Sequence, residues 1–197
     1  VLADIQSTFD NHAELIEQLA AAISIAPTIT RDQFARFIAT AECAHSHPAI
    51  RAVEWIPAVR SDLRDEFEQR AIVDGFEDFQ ITQRDVNGQL VRSEDRSEYY
   101  PVFYVEPLEG NEAAVGFDLA SNSERLAAIS SSIVSRVQVA TSPIELVQRR
   151  GSRFGFLIFS PVYAPGDEEL LGFALGVFDI DASIGESLLD HQVDGID

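Results

Sequence analysis

Lysine and methionine are absent from this chain of 197 residues, and cysteine and tryptophan occur once each. All 14 of its basic residues are therefore arginines, set against 33 acids for a formal charge of −19. So acidic a surface repels phosphate backbones and anionic headgroups, which argues against nucleic-acid binding and peripheral membrane docking. The single Cys43 cannot close an internal disulfide, so cysteine usage leaves the compartment unread. No Met stands at position 1 and no signal peptide opens the chain, so a segment of a longer protein is expected. No run approaches the ~20 apolar residues that span a bilayer. The longest apolar candidate, Leu170 to Ile180, has the length of a strand.

Signatures of chemistry are missing too. There is no Gly-x-Ser-x-Gly elbow, no glycine-rich phosphate loop and no His-Glu-x-x-His pair. Cys43, His45 and His47 are of metal-binding type, but no fourth ligand accompanies them. A polar loop with a buried thiol is the preferred reading. No catalytic residue, metal or cofactor is assigned, and an enzyme is not expected.

What the chain does have is a 46% hydrophobic content, enough for a packed core, and a length that suits one domain or one domain plus an appendage. Leu2, Ile5, Phe9, His12, Ile16, Leu19 and Ile23 alternate spacings of three and four, predicting a helix over residues 1–25. The pattern fits a coiled-coil seam or an amphipathic helix packed on its own domain. Polar residues between the seam positions favour a parallel dimer stalk, with His12 setting register. Pro27 ends this helix. Thr30 and Gln33 form a capping box for a second helix through about Glu42. Ala49–Val59 reads as a strand, followed by a helix capped by Ser61. Phe76–Thr82 and Gln89–Val91 flank the hairpin signal Asn87-Gly88, and Tyr100–Glu106 reads as an apolar strand. Ser121 and Glu124 suggest a second capping box for a helix to about Val137. Long strands follow at Phe154–Tyr163 and Leu170–Ile180, then a helix from Asp181 to about Asp190. Helices first and a mostly antiparallel sheet after them indicate an α+β fold.

Several segments, in order, resemble the CHASE family of extracytoplasmic ligand-sensing domains. They are Val53-Glu54-Trp55-Ile56-Pro57, Glu98 to Tyr104, Gly116-Phe117-Asp118-Leu119 with Arg125, Thr141-Ser142-Pro143, Phe159-Ser160-Pro161-Val162-Tyr163, Leu171-Gly172-Phe173 and Val177-Phe178-Asp179. The likeness covers roughly residues 30–185. It implies a long N-terminal helix rising from the membrane and a PAS-like antiparallel sheet flanked by helices, then a second, membrane-proximal module. The expected divisions are a stalk at 1–29, the sensing module at 30–190, and at 191–197 the start of a module mostly lacking here. The resemblance further implies a periplasmic location as part of an inner-membrane receptor, whose anchoring segments are absent. Ligand binding would bias a dimeric cyclase, phosphodiesterase or histidine kinase output.

In plant members, adenine-type cytokinins are held by an acid on the helix after the Gly-x-Asp motif. That acid falls at Glu124 here, with a spacing one residue shorter. Phe159 replaces a small polar pocket residue, which argues against an adenine on steric grounds. The candidate ligand-binding set is Phe103, Asp118, Glu124, Arg125, Thr141, Val147 at the rim, Phe159, Phe173 and Gly176. For the aromatics, plain sheet core is the competing reading. Gly176 would let a ligand approach the backbone. Asp118 and Arg125 are expected to pair with each other, and Thr141 to order the Ser142-Pro143 turn. The ligand is an unidentified small molecule. A ligand-free dimerisation module and a Cache-type sensor are the alternatives.

Overall fold

The computed structural model describes residues 2–40, 49–145, 154–166 and 169–183. In chain order its helices are α1 (Leu2–Ile25), α2 (Arg31–Thr40), α3 (Arg64–Val73) and α4 (Ser123–Ser135). Its strands are β1 (Ile50–Pro57), β2 (Val59–Arg60), β3 (Thr82–Arg84), β4 (Leu90–Arg92), β5 (Glu98–Tyr99), β6 (Tyr104–Glu106), β7 (Val139–Ala140), β8 (Ile144–Glu145), β9 (Phe154–Tyr163) and β10 (Leu170–Asp179). The main sheet runs in the order β6-β1-β10-β9-β7, with β8 also on β9, and every pairing is antiparallel. The fold class is thus α+β with a PAS-like antiparallel sheet, as the sequence implies.

Side chains alternate across a strand, so this sheet has two apolar faces. The first carries Val53, Trp55, Tyr104, Phe156, Ile158, Val162, Ala174 and Phe178, covered by Ile16, Leu19 and Ile23 of α1 and Phe34 and Ile38 of α2. The second carries Ala52, Ile56, Val105, Leu157, Phe159, Phe173, Leu175 and Val177, covered by Ala128 and Ile129 of α4 and by Phe117 to Ala120. The α1 stripe corrects the dimer-seam reading for Ile16, Leu19 and Ile23. All three are fully buried against this chain's own sheet. His12 stacks on Phe178 at 4.9 Å. Two polar contacts tether the helix, Ser24 Oγ donating to the Tyr163 carbonyl (2.6 Å) and Gln138 Nε2 to the Ala13 carbonyl (2.7 Å).

The Thr30–Gln33 capping box forms as expected. Thr30 N donates to Gln33 Oε1 (2.9 Å) and Gln33 N to Thr30 Oγ1 (3.3 Å). Other boundaries shift for local reasons. Ser61 opens a single 3-10 turn, Ser61–Leu63, rather than capping α3. Asn122 caps α4, accepting from Glu124 N and Arg125 N (both 3.1 Å). Ser121 instead donates to the Asp118 carbonyl at 2.6 Å. The expected strand Tyr100–Glu106 is broken in two. Val102 N bonds the Phe117 carbonyl (3.0 Å), then Phe103 N switches to that of Trp55 (2.9 Å). Phe76 and Phe79 lie in turns rather than in a strand and pack their rings against Phe103. A helical turn starts at Ile180, one residue before its expected start, with Asp179 Oδ1 accepting from Ala182 N (3.0 Å). Residues 191–197 and the loop holding Cys43, His45 and His47 lie outside the described residues.

Candidate functional site

Strand β1 enters the middle of the sheet as Ala52-Val53-Glu54-Trp55-Ile56, and its alternation places Glu54 with Ala52 and Ile56 on the face opposite α1. Its register neighbours are Leu175 on β10 and Val105 on β6. A carboxyl group is thereby set into an apolar row. Glu54 is 2% exposed. Burial pushes its carboxyl from 4.5 up to about 8, and the positive charge of Arg125 only partly opposes the rise.

Arg125 comes from the first turn of α4. In a helix the residues three and four apart share a face, and Arg125, Ala128, Ile129 and Ser132 are the buried ones. The guanidinium is 6% exposed. It lies over the Phe117 ring at 5.4 Å, and its Nη2 donates to the Glu145 carbonyl at 3.3 Å. Its Nε is buried with no hydrogen-bond partner among the described residues. Burial lowers its proton affinity, and Glu54 opposes that shift. An acid and a cation thus act on each other electrostatically inside the layer between sheet and helix.

The residues proposed from sequence do not converge on one place. Phe159 and Phe173 lie on the same sheet face as Glu54 and meet edge to face, 5.8 Å apart. Glu124 is exposed, since its neighbour Arg125 occupies the inward position of the first turn. Phe103 belongs to the other face. With Trp55, Phe67 and Arg70 it lines a separate cavity of about 290 Å³. Gly176 also lies on the α1 face, where a Cβ would sit 2.4 Å from the Phe178 ring and 2.9 Å from Ile16 Cδ1. Its missing side chain therefore admits the helix. Thr141 Oγ1 accepts from Leu157 N (3.1 Å), extending the ladder along β9 rather than ordering the turn. Val147 lies outside the described residues.

The expected Asp118–Arg125 pair is corrected. Asp118 is fully buried and its partner is Arg96, with Nε 3.2 Å from Oδ2. It also accepts from Tyr100 N (2.9 Å), Ala120 N (3.1 Å) and Ser93 Oγ (3.4 Å). Burial raises its carboxyl nevertheless. These bonds hold the chain segments that flank the site. Sequence reasoning passed over Glu54, although a lone acid between Ala52 and Ile56 in an apolar strand was a usable signal.

A family model described as the CHASE domain matches residues 27–197. No curated protein matches the chain. CHASE domains are extracytoplasmic sensor domains of signalling proteins and are not themselves catalytic. Among the described residues no helix is long and apolar enough to cross a membrane. Matched over most of its length and built on the antiparallel sheet that the resemblance implied, the chain belongs to the CHASE domain family.

Proposed function

We propose that this domain is the periplasmic ligand-sensing part of an inner-membrane receptor, and that its small-molecule ligand occupies the layer between the sheet and α4. The observation that carries the reading is the buried Glu54–Arg125 couple on the sheet face opposite α1. Ionisable groups held at a cost in an apolar layer concentrate at functional sites. Apolar walls with a few polar anchors are what a small-molecule site requires.

Signal transfer follows from the packing. α1 lies on β9 and β10, the same two strands whose opposite face carries Leu157, Phe159, Leu175 and Val177. A ligand that favours one spacing of sheet and α4 would bias the seating of α1, provided it binds the two arrangements unequally. A homodimer through residues 1–25 would use the surface of α1 that its own sheet leaves uncovered. A cyclase, phosphodiesterase or histidine kinase would then read the change.

A ligand-free interaction module is the second reading, favoured by the tight Phe159–Phe173 contact in the sheet layer. A thermal-shift screen over purines, amino acids and organic acids separates the two. A ligand at about a hundred times its Kd adds roughly 2.7 kcal/mol, worth about 5–10 °C in a domain of this size. Hydrogen exchange with the bound compound should then protect β1 and α4. No shift with any class, or protection confined to the α1 face, would refute the sensor reading.

A further inference from the structure

We propose that Arg125 and Glu54 form the anchoring site for a small carboxylate monoanion, with the ligand's carboxylate lying against the Nε edge of the Arg125 guanidinium. The inference rests on the sensor reading above and names the chemistry of its ligand. Arg125 is more than nine-tenths buried, yet its Nε has no hydrogen-bond partner among the described residues. Buried donors are almost always paired, so an orphan on a guanidinium marks a place where an acceptor belongs. Among the described residues its guanidinium makes one hydrogen bond, from Nη2 to the Glu145 carbonyl at 3.3 Å, which uses one of that nitrogen's two hydrogens. Nε–H and one Nη2 hydrogen lie on one edge of a guanidinium, the edge that grips a carboxylate through two parallel bonds.

Charge selects the class further. Glu54 faces the same layer and is held protonated at neutral pH, its carboxyl pushed up to about 8 by burial. The two groups together therefore carry one positive charge. A single carboxylate neutralises it, a dianion overshoots, and a cation meets Arg125 head-on. Phe117 on one side and Leu175 and Val105 beside Glu54 supply apolar walls, which suits a short hydrocarbon body.

The experiment uses the whole domain at a pH below that of the Glu54 transition. Acetate, propionate, pyruvate and L-lactate are compared with sodium chloride of equal ionic strength, with acetamide and propionamide as neutral isosteres, and with adenine. Binding is read by thermal shift and by hydrogen exchange. At least one carboxylate should raise Tm beyond the chloride control while its amide does not. Arg125→Lys, which keeps the charge and loses the fork, should weaken that carboxylate at least tenfold. The comparison of carboxylate with amide is made on the unmodified domain, so it stands even where the variant does not fold. Carboxylates that match chloride, or that bind Arg125→Lys equally well, overturn the proposal. If adenine or an amide instead binds and protects β1 and α4, the carboxylate assignment fails and the sensor reading stands. If no probe shifts Tm, the carboxylate assignment fails, and the wider screen over purines, amino acids and organic acids decides the sensor reading.

Discussion

Replacing Glu54 by glutamine should leave stability almost unchanged in acid and raise it in mild alkali. The side chain is fully buried, and its carboxyl is lifted from 4.5 to about 8, first by loss of solvation and against the pull of Arg125. Between those two values the folded chain holds a proton that the unfolded chain has released. Unfolding then releases a proton, so wild-type stability falls as pH rises, by ~1.4 kcal/mol per pH unit for this one group. The contribution is fully present below 4.5 and spent once pH passes about 8, a loss on the order of 4 kcal/mol between about pH 5 and pH 8. Glutamine has nearly the volume and hydrogen-bonding capacity of the protonated acid, and it does not titrate. Urea unfolding of both proteins, followed by far-ultraviolet circular dichroism across this range, measures the difference directly. The other carboxylates and the four histidines titrate in both proteins and cancel in the subtraction. E54Q should match wild type near pH 5 and exceed it by several kcal/mol near pH 8.5. A difference that does not change with pH would show that the buried carboxyl is not protonated at neutrality, and the charge argument built on it would fall.

Two further substitutions test the packing. Leu19 is fully buried in the contact of α1 with the sheet, so Leu19→Ala should cost about 2–5 kcal/mol by an amount independent of protein concentration. A concentration-dependent loss in equilibrium unfolding would restore the helix to an intermolecular seam. Gly172 has a φ of +150°, and a Cβ there would sit 2.1 Å from the Ile56 carbonyl oxygen and 2.7 Å from Pro57 Cα. Gly172→Ala should therefore destabilise by on the order of 3–5 kcal/mol through backbone strain where β10 meets β1. A melting temperature equal to wild type would mean that the two strands separate at that point without cost.

The parts of the fold that were legible from sequence are those set by neighbours in the chain. The three-and-four spacing from Leu2 to Ile23 defines α1, because a helix repeats on that period. Thr30 and Gln33 are close enough to cap each other whatever lies around them. The apolar run of β9 is bounded as expected, and that of β10 starts as expected and ends one residue early, at Asp179. Reading failed where the backbone changes partners. Tyr100–Glu106 has the composition of one strand, yet Val102 bonds toward Phe117 and Phe103 toward Trp55. Composition does not encode such a switch. The site was half legible. Arg125 was named, but its acidic partner was sought at Asp118, seven residues before it in the chain, rather than across the layer at Glu54.

By itself, the sequence determined the family, the α+β class and the strongly acidic, lysine-free surface, because these rest on composition, local period and ordered motifs. Tertiary structure alone decided which arginine neutralises Asp118, since Arg96 and Arg125 are chemically equal candidates until the chain folds. It also decided that the α1 stripe covers its own sheet, and that Phe103 and Gly176 lie on the opposite face from Phe159 and Phe173. The physical reason is common to all three. Alternation says which residues of a strand share a face, but which helix covers that face, and which distant charge meets it there, is settled only when the layers close on one another.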